Sequence, residues 1–446
     1  MDFIPITAQD KKRMLETTGF DTVDELFGTS IPGNVRLNRP LNLPAGTSEY
    51  ELIRHMRNVA ADNADLTEYV SFLGAGAYDH FIPSIVDAII SLPEFNTPYT
   101  PYQAEVSQGI LQSLFEYQTM ISELTGLDIA NASLYDGSTA MAEAALLAHD
   151  VTGNRRIIVS GAVHPEYRAV LKTYTMGIGA TIETVSVSNG ATDTDALEEL
   201  ADDGCACIIV QQPNFFGYLE NVDAISAIAA RYPALLLVSF DPVSLGILKP
   251  PAEYGADVVT AEGQLFGNSL SFGGPYLGVF ACRGEYLRRV PGHLISATND
   301  TAGRTGYVLT LQTREQHIKR ERATSNICTC EVLNAIAAAV HLSYLGPNGL
   351  REVATQCTQK AHYAFEQLKS IDYLEPLSDA PFFKEFAFKS SRSVPSINER
   401  LYDKGIIGGF DIGRVLPEHE DTILFCVTEK RTKDEIDTMV RVMRSL

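Results

Sequence analysis

Positive charge is scarce in this sequence. Its 446 residues carry 35 Lys and Arg against 56 Asp and Glu, a formal charge of −21. That balance argues against nucleic acid and anionic membrane surfaces as partners, since both are gripped by concentrated cations. Long apolar runs are missing too: no stretch approaches the roughly 18 residues a membrane span needs, and the opening MDFIPITAQDKKRMLETTGF holds no apolar h-region. A cytoplasmic location is the expectation. Cysteine is sparse and odd in number, seven along the chain, which points to reduced thiols and not to a disulfide framework. Two C-x-C pairs, Cys205/Cys207 and Cys328/Cys330, could together offer four thiols to zinc. The first pair, however, opens an apolar strand-like run where small thiols behave as core residues, and no metal is expected. Lysine is absent from the whole interval between Lys249 and Lys319.

What is present is ordinary globular composition, 45% hydrophobic and 20% charged. The chain exceeds the roughly 250–300 residues at which a single core stops growing, so two or three domains are expected. Residues 1–75 read as a helical and extended arm, with helix-period stretches behind Thr and Ser caps and a Pro/Gly/Asn-rich connection between them. From 76 to 330, short β-branched runs (RRIIVSG, ATIETVSV, ACIIVQQP, ALLLVSFDP, ADVVTAEG) alternate with helical segments. Strands apolar almost throughout are covered on both faces, so this is an α/β domain with a mostly parallel sheet. Residues 331–446 begin with a long helical stretch and close in strand, helix, strand, helix, a small α+β domain.

Open α/β sheets bind ligands at the carboxyl ends of their strands. In YDGSTAMAEAAL, Gly137, Ser138 and Thr139 open a helix, where free N–H groups, a hydroxyl and the helix dipole suit a phosphate; a plain N-cap reads equally well. RRIIVSG leads to His164, placed to stack on a planar ligand or simply to hydrogen-bond within its loop. ALLLVSF leads to Asp241, a carboxylate ending an apolar run, which needs a heterocycle nitrogen or a neighbouring cation as partner. The fourth exit, VVTAEGQLFGNSLSFGGPYLGVF, reads as a strand, a Gly-rich crossing and a second strand, with Glu262 its one charged side chain.

A phosphate cradle, a stacking His and a carboxylate on successive strand ends resemble the pyridoxal-phosphate enzymes of the aspartate-aminotransferase fold (fold type I). In those enzymes the next strand delivers the lysine that binds the cofactor; here Gln264 stands at that position. The segments FLGAGAYDHFIPSIV, TPYTPYQAEVSQGILQSLFEYQTMISELTGLDIANASLYDGSTAMAEAAL, EGQLFGNSLSFGGPYLGVFACR and KRERATSNICT are similar to the P-protein family of the glycine cleavage system, glycine dehydrogenase (decarboxylating). Within it they resemble subunit 1 of the form split into two chains.

The resemblance implies that pyridoxal phosphate and its lysine reside in a partner, subunit 2, and that this chain keeps a vestigial pocket with no covalent cofactor. It further implies that glycine is the substrate, losing CO2 while its aminomethyl carbon passes to the lipoyl arm of H-protein. Fold type I sites are completed by loops of the neighbouring subunit. The candidates for that role are Tyr99, Thr100 and Tyr102 in NTPYTPYQ and Thr324, Ser325 and Asn326 in ATSNICT, rich in hydroxyl and amide donors; turn packing and helix capping are their structural alternatives. Arg414 is a candidate carboxylate fork. A purely structural subunit, or an independent enzyme using another lysine such as Lys249, are the competing readings.

Overall fold

The computed structural model describes residues 4–97 and 99–446. The chain divides into two compact units, Met1–Ala64 and Asp65–Leu446. The first contains helices α1 (Ala8–Thr18), α2 (Val23–Ser30) and α3 (Glu49–Ala61). Each starts at a reciprocal capping box, Thr7 with Asp10, Thr22 with Glu25 and Ser48 with Glu51, so two of the free N–H groups at each helix start are satisfied locally.

The second unit is built on a seven-stranded sheet. Its strands in chain order are β1 (Ile129–Ala130), β2 (Arg156–Ser160), β3 (Thr181–Val185), β4 (Cys205–Gln212), β5 (Leu235–Phe240), β6 (Val258–Glu262) and β7 (Gly278–Cys282). In space they run β1-β7-β6-β5-β4-β2-β3. The five strands from β3 to β6 are mutually parallel, while β7 is antiparallel to both β6 and β1. Side chains alternate between two apolar layers, as a period of two requires. Ile208, Val210, Leu236, Val238 and Val259 face one core with Leu111, Leu114 and Tyr117 of α4 (Gln108–Thr125). Cys207, Ile209, Leu235, Leu237 and Val258 face the other with Met141, Ala144 and Ala145 of α5 (Gly137–Thr152). Burial on both faces explains why these runs read as continuously apolar.

Helix α6 (Pro165–Thr175) follows β2, and α7 (Val332–Leu368), broken at Gly346 and Pro347, leads to the C-terminal lobe. That lobe has strands β8 (Leu374–Pro376), β9 (Glu385–Ser390), β10 (Phe410–Asp411) and β11 (Thr422–Cys426), antiparallel in the order β8-β9-β11-β10. Helices α8 (Val394–Tyr402) and α9 (Lys433–Arg444) pack beside it over Phe386, Phe388, Phe425 and Met439. Val70–Ser71 pair in parallel with Ile406–Ile407, and residues 72–81 then run as a strap between the lobes. No helix among the described residues is long and apolar enough to cross a membrane.

All seven cysteines are free thiols. Cys205 and Cys207 lie inside β4 and Cys328 and Cys330 in the loop before α7. The two pairs form no metal-binding group among the described residues.

Candidate functional site

The strand exits converge as expected, but on a hollow that the protein has filled with its own side chains. The α5 N-terminus is capped by Asp136, whose Oδ1 accepts from the Thr139 N–H at 2.7 Å and the Ser138 hydroxyl at 2.6 Å. The Gly137 N–H donates to Glu262 Oε2 at 3.0 Å. Two carboxyl groups thus occupy the donors that would otherwise attract an external anion. Glu262 also accepts from the Gln264 and Leu277 N–H groups at 3.0 and 3.1 Å. Burial pushes its pKa up to about 8, although the three N–H donors pull the other way. Only glycine fits at 137: a Cβ there would stand 2.5 Å from Tyr167 Oη and 2.8 Å from the Glu262 nitrogen.

His164 is buried and N-caps α6. Its Nε2 donates to the Ala75 carbonyl at 2.9 Å while Nδ1 accepts from the Glu166 N–H at 3.2 Å, which fixes the Nε2–H tautomer. Burial lowers its pKa, and a neutral ring follows. Tyr167, one helical turn on, stacks against it with ring centroids 4.9 Å apart and planes at 26°. The stacking surface offered by His164 is therefore taken by a phenol whose hydroxyl lies at the start of α5.

Asp241 accepts from the Val243 and Ser244 N–H groups through Oδ1, at 2.9 and 3.2 Å. Its Oδ2 meets the Lys384 ammonium at 2.6 Å. Lys384 is 1% exposed, reaches in from the start of β9, and lies 3.6 Å from the centroid of the Tyr78 ring. Burial alone would depress its pKa; Asp241 in contact more than reverses this, and the net direction is upward. An ammonium can only donate, so His80 Nε2, 3.0 Å away, accepts from it, and His80 Nδ1–H donates to Glu429 at 2.6 Å. His80, Cys357 and Glu429 bring three possible metal ligands together, yet both His80 nitrogens are already committed.

Gln264 lies just beyond β6 and is 2% exposed. Its amide is locked into the strap: Oε1 accepts from the Tyr78 N–H at 2.9 Å, and Nε2 donates to the Tyr78 and Asn268 carbonyls at 3.1 and 2.8 Å. Tyr78 Oη and the Ala75 N–H both donate to Glu385, each at 2.7 Å, and burial pushes the Glu385 carboxyl up to about 7. The remaining cavity is about 30 Å³, room for a water or two. A pyridine ring bearing a phosphate does not fit this volume: the His164 ring face, the α5 N-terminus, Asp241 and Gln264 are each engaged by groups of the chain itself.

The two candidate loops form one surface. Tyr99 is 80% exposed and Tyr102 47%. The Tyr102 ring meets His293 and His317 edge-on at 5.9 and 6.1 Å. Burial, then the adjacent Cys328 thiol, push its hydroxyl up to about 12. The Tyr102 N–H donates to the Thr100 carbonyl at 2.9 Å and that of Thr324 to the Arg314 carbonyl at 3.0 Å. Ser325 Oγ accepts from the Ile327 N–H at 3.0 Å, a local turn, and Asn326 Oδ1 from Gln316 at 3.4 Å. None of the six lines the closed hollow. Arg414 lies elsewhere, beside a separate cavity of about 170 Å³ with Asn398 and Tyr402. Lys249 is at the surface, 3.5 Å from Asp223.

Sequence reasoning missed Lys384, Tyr167 and Tyr78. Two of them left a trace: Lys384 stands with Glu385 as a charged pair inside the otherwise apolar run PFFKEFAF, and Tyr167 follows His164 at helical spacing.

The sequence profile of the glycine cleavage system P-protein matches residues 1–443. The chain is 52% identical over 443 residues to a probable glycine dehydrogenase (decarboxylating) subunit 1 of Carboxydothermus hydrogenoformans, covering 99% of each chain. It is 49% identical over 439 residues to the protein of the same description from Anoxybacillus flavithermus, covering 98% of each. Its structure superposes on a crystal structure of glycine decarboxylase (P-protein) in inhibitor-bound form with a TM-score of 0.93, 40% identity and full coverage of both chains. A Lactobacillus brevis glutamate decarboxylase, 12% identical with a TM-score of 0.68 over 95% of this chain and 96% of that one, shares the fold, which is fold type I. Sequence and structure agree over the full length, and the chain belongs to the glycine cleavage system P-protein family.

Proposed function

We propose that this chain is subunit 1 of a two-chain glycine decarboxylase and that it works without a cofactor of its own. The observation that carries this reading is the Asp241–Lys384 pair in a cavity of about 30 Å³. An internal ammonium stands where a cofactor nitrogen would be held, and Gln264 cannot form an imine. Pyridoxal phosphate and its lysine then belong to subunit 2, where the cofactor supplies the electron sink for loss of CO2 from glycine, and lipoylated H-protein receives the aminomethyl group. This chain supplies shape and donors. The shelf of Tyr99, Thr100, Tyr102, Thr324 and Asn326 lies outside its own hollow, and its exposed phenol, hydroxyl and amide groups suit the mouth of a neighbouring site that must orient a small carboxylate and exclude water.

The test is reconstitution. Glycine-dependent exchange of labelled bicarbonate should be absent with either chain alone and appear on mixing, with absorbance near the imine band only on subunit 2. Imine absorbance or exchange from this chain alone would overturn the assignment. A purely structural subunit is separated by Tyr102→Ala: the shelf reading expects at least a tenfold loss of exchange with unchanged complex formation, a scaffold full turnover.

A further inference from the structure

A second concavity, of about 780 Å³, lies between α6, the edge strand β3 and residues Val415–Glu418 of the C-terminal lobe. Its volume falls within the roughly 300–1,000 Å³ usual for small-molecule sites. The unusual feature is Arg168. Six arginines among the described residues are less than fully exposed: Arg36, Arg156, Arg168, Arg283, Arg314 and Arg431. Four of them pair with carboxylates, Arg36 with Asp24, Arg156 with Glu183, Arg283 with Asp257 and Arg431 with Asp79. Arg314 spends its guanidinium on the carbonyls of Val290, Gly292 and Leu311. Among the described residues Arg168 alone of the six has its terminal nitrogens unused: Nε donates to the Val163 carbonyl at 3.1 Å, and no carboxylate of those residues pairs with it. Burial lowers its pKa, with Glu418 across the groove acting only at a distance. A half-buried guanidinium without a partner is costly, and its planar fork matches a carboxylate or a phosphate.

Lys172, one turn along α6 and likewise without an ion pair among the described residues, adds a second cation to the same wall. The rest mixes apolar side chains, Ile182, Val415 and Leu416 among them, with the polar Thr175, Thr184 and Glu418. Two cations against the single carboxylate of Glu418 in this lining, on a chain whose formal charge is −21, make a local exception with a definite chemical preference.

We propose that this groove binds a small organic anion, a carboxylate or phosphate monoester with an apolar body, through Arg168 and Lys172. The anionic end seats on the Arg168 fork and the apolar body lies along Ile182 and Leu416. The site is separate from the closed hollow and independent of the decarboxylase assignment.

Calorimetric titration of the full chain with hexanoate, hexyl phosphate, 1-hexanol and inorganic phosphate tests this. One or both hexyl anions should bind at one per chain, at least tenfold more tightly than hexanol or phosphate, and which anion wins identifies the head group. Arg168→Gln should weaken that binding at least tenfold and Lys172→Gln severalfold. Ile182→Glu, which puts a carboxylate into the trough from the exposed edge strand, should abolish it, so the result stands even where Arg168→Gln perturbs folding. Absence of one-to-one binding by either anion at millimolar concentration, or binding that both Arg168→Gln and Ile182→Glu leave unchanged, would overturn the proposal.

Discussion

Replacing Lys384 by Met asks how much the chain depends on its internal counterion. At 2.6 Å separation and an effective dielectric of about 20, the gross attraction to Asp241 is about 6 kcal/mol. Most of this is offset by desolvation of two buried ions, so the net worth of the pair is small. Breaking it is different. Lys384→Met leaves Asp241 Oδ2 charged in a cavity of about 30 Å³, with only Oδ1 still hydrogen-bonded, and removal of one partner from a buried pair costs about 3–5 kcal/mol. Asp241→Asn/Lys384→Met removes both charges and should regain most of that loss. Urea unfolding at pH 7, followed by circular dichroism and tyrosine fluorescence, gives the double-mutant cycle; a coupling of at least about 2 kcal/mol is expected. A single-variant cost below about 1 kcal/mol, or a double variant no more stable than Lys384→Met, would refute the reasoning.

Glu262 gives a pH dependence. Its folded pKa of about 8 lies above the ordinary 4.5, so the folded state holds the extra proton and this stability is present below pH 4.5 and lost as pH rises to about 8. Glu262→Gln should flatten that part of the urea midpoint against pH, and parallel curves would contradict it. Gly137→Ala forces a methyl to within 2.5 Å of Tyr167 Oη and should cost about 1–3 kcal/mol by overpacking; adding Tyr167→Phe should recover part of the loss in thermal melts, and no recovery would clear the hydroxyl of blame. Gln264→Lys, mixed with pyridoxal phosphate, should show no imine absorbance, because Tyr167, Glu262 and Lys384 still fill the hollow. An imine band would mean that the amide alone kept the cofactor out.

The strands were legible because parallel strands buried on both faces leave continuous apolar runs, and the residues leaving them are fixed by topology. Gly137, His164, Asp241 and Gln264 were accordingly found together. What fills the space between them was not legible, since it depends on contacts between distant parts of the chain: Gln264 meets Tyr78 across 186 residues, and Asp241 meets a lysine of the other lobe. The lysine gap from 250 to 318 could not show that the Lys384 ammonium enters the hollow beside Asp241. Arg414, a carboxylate-fork candidate from its lobe alone, lines a different cavity with Asn398 and Tyr402.

The strap at 72–81 carries one last consequence. It is fastened to the sheet domain through Gln264 and His164 and to the C-terminal lobe through Glu385, Glu429 and the cations facing Asp79. Such riveting on both sides leaves the lobes little freedom to swing apart. A partner meeting these two lobes would encounter them already joined by the strap.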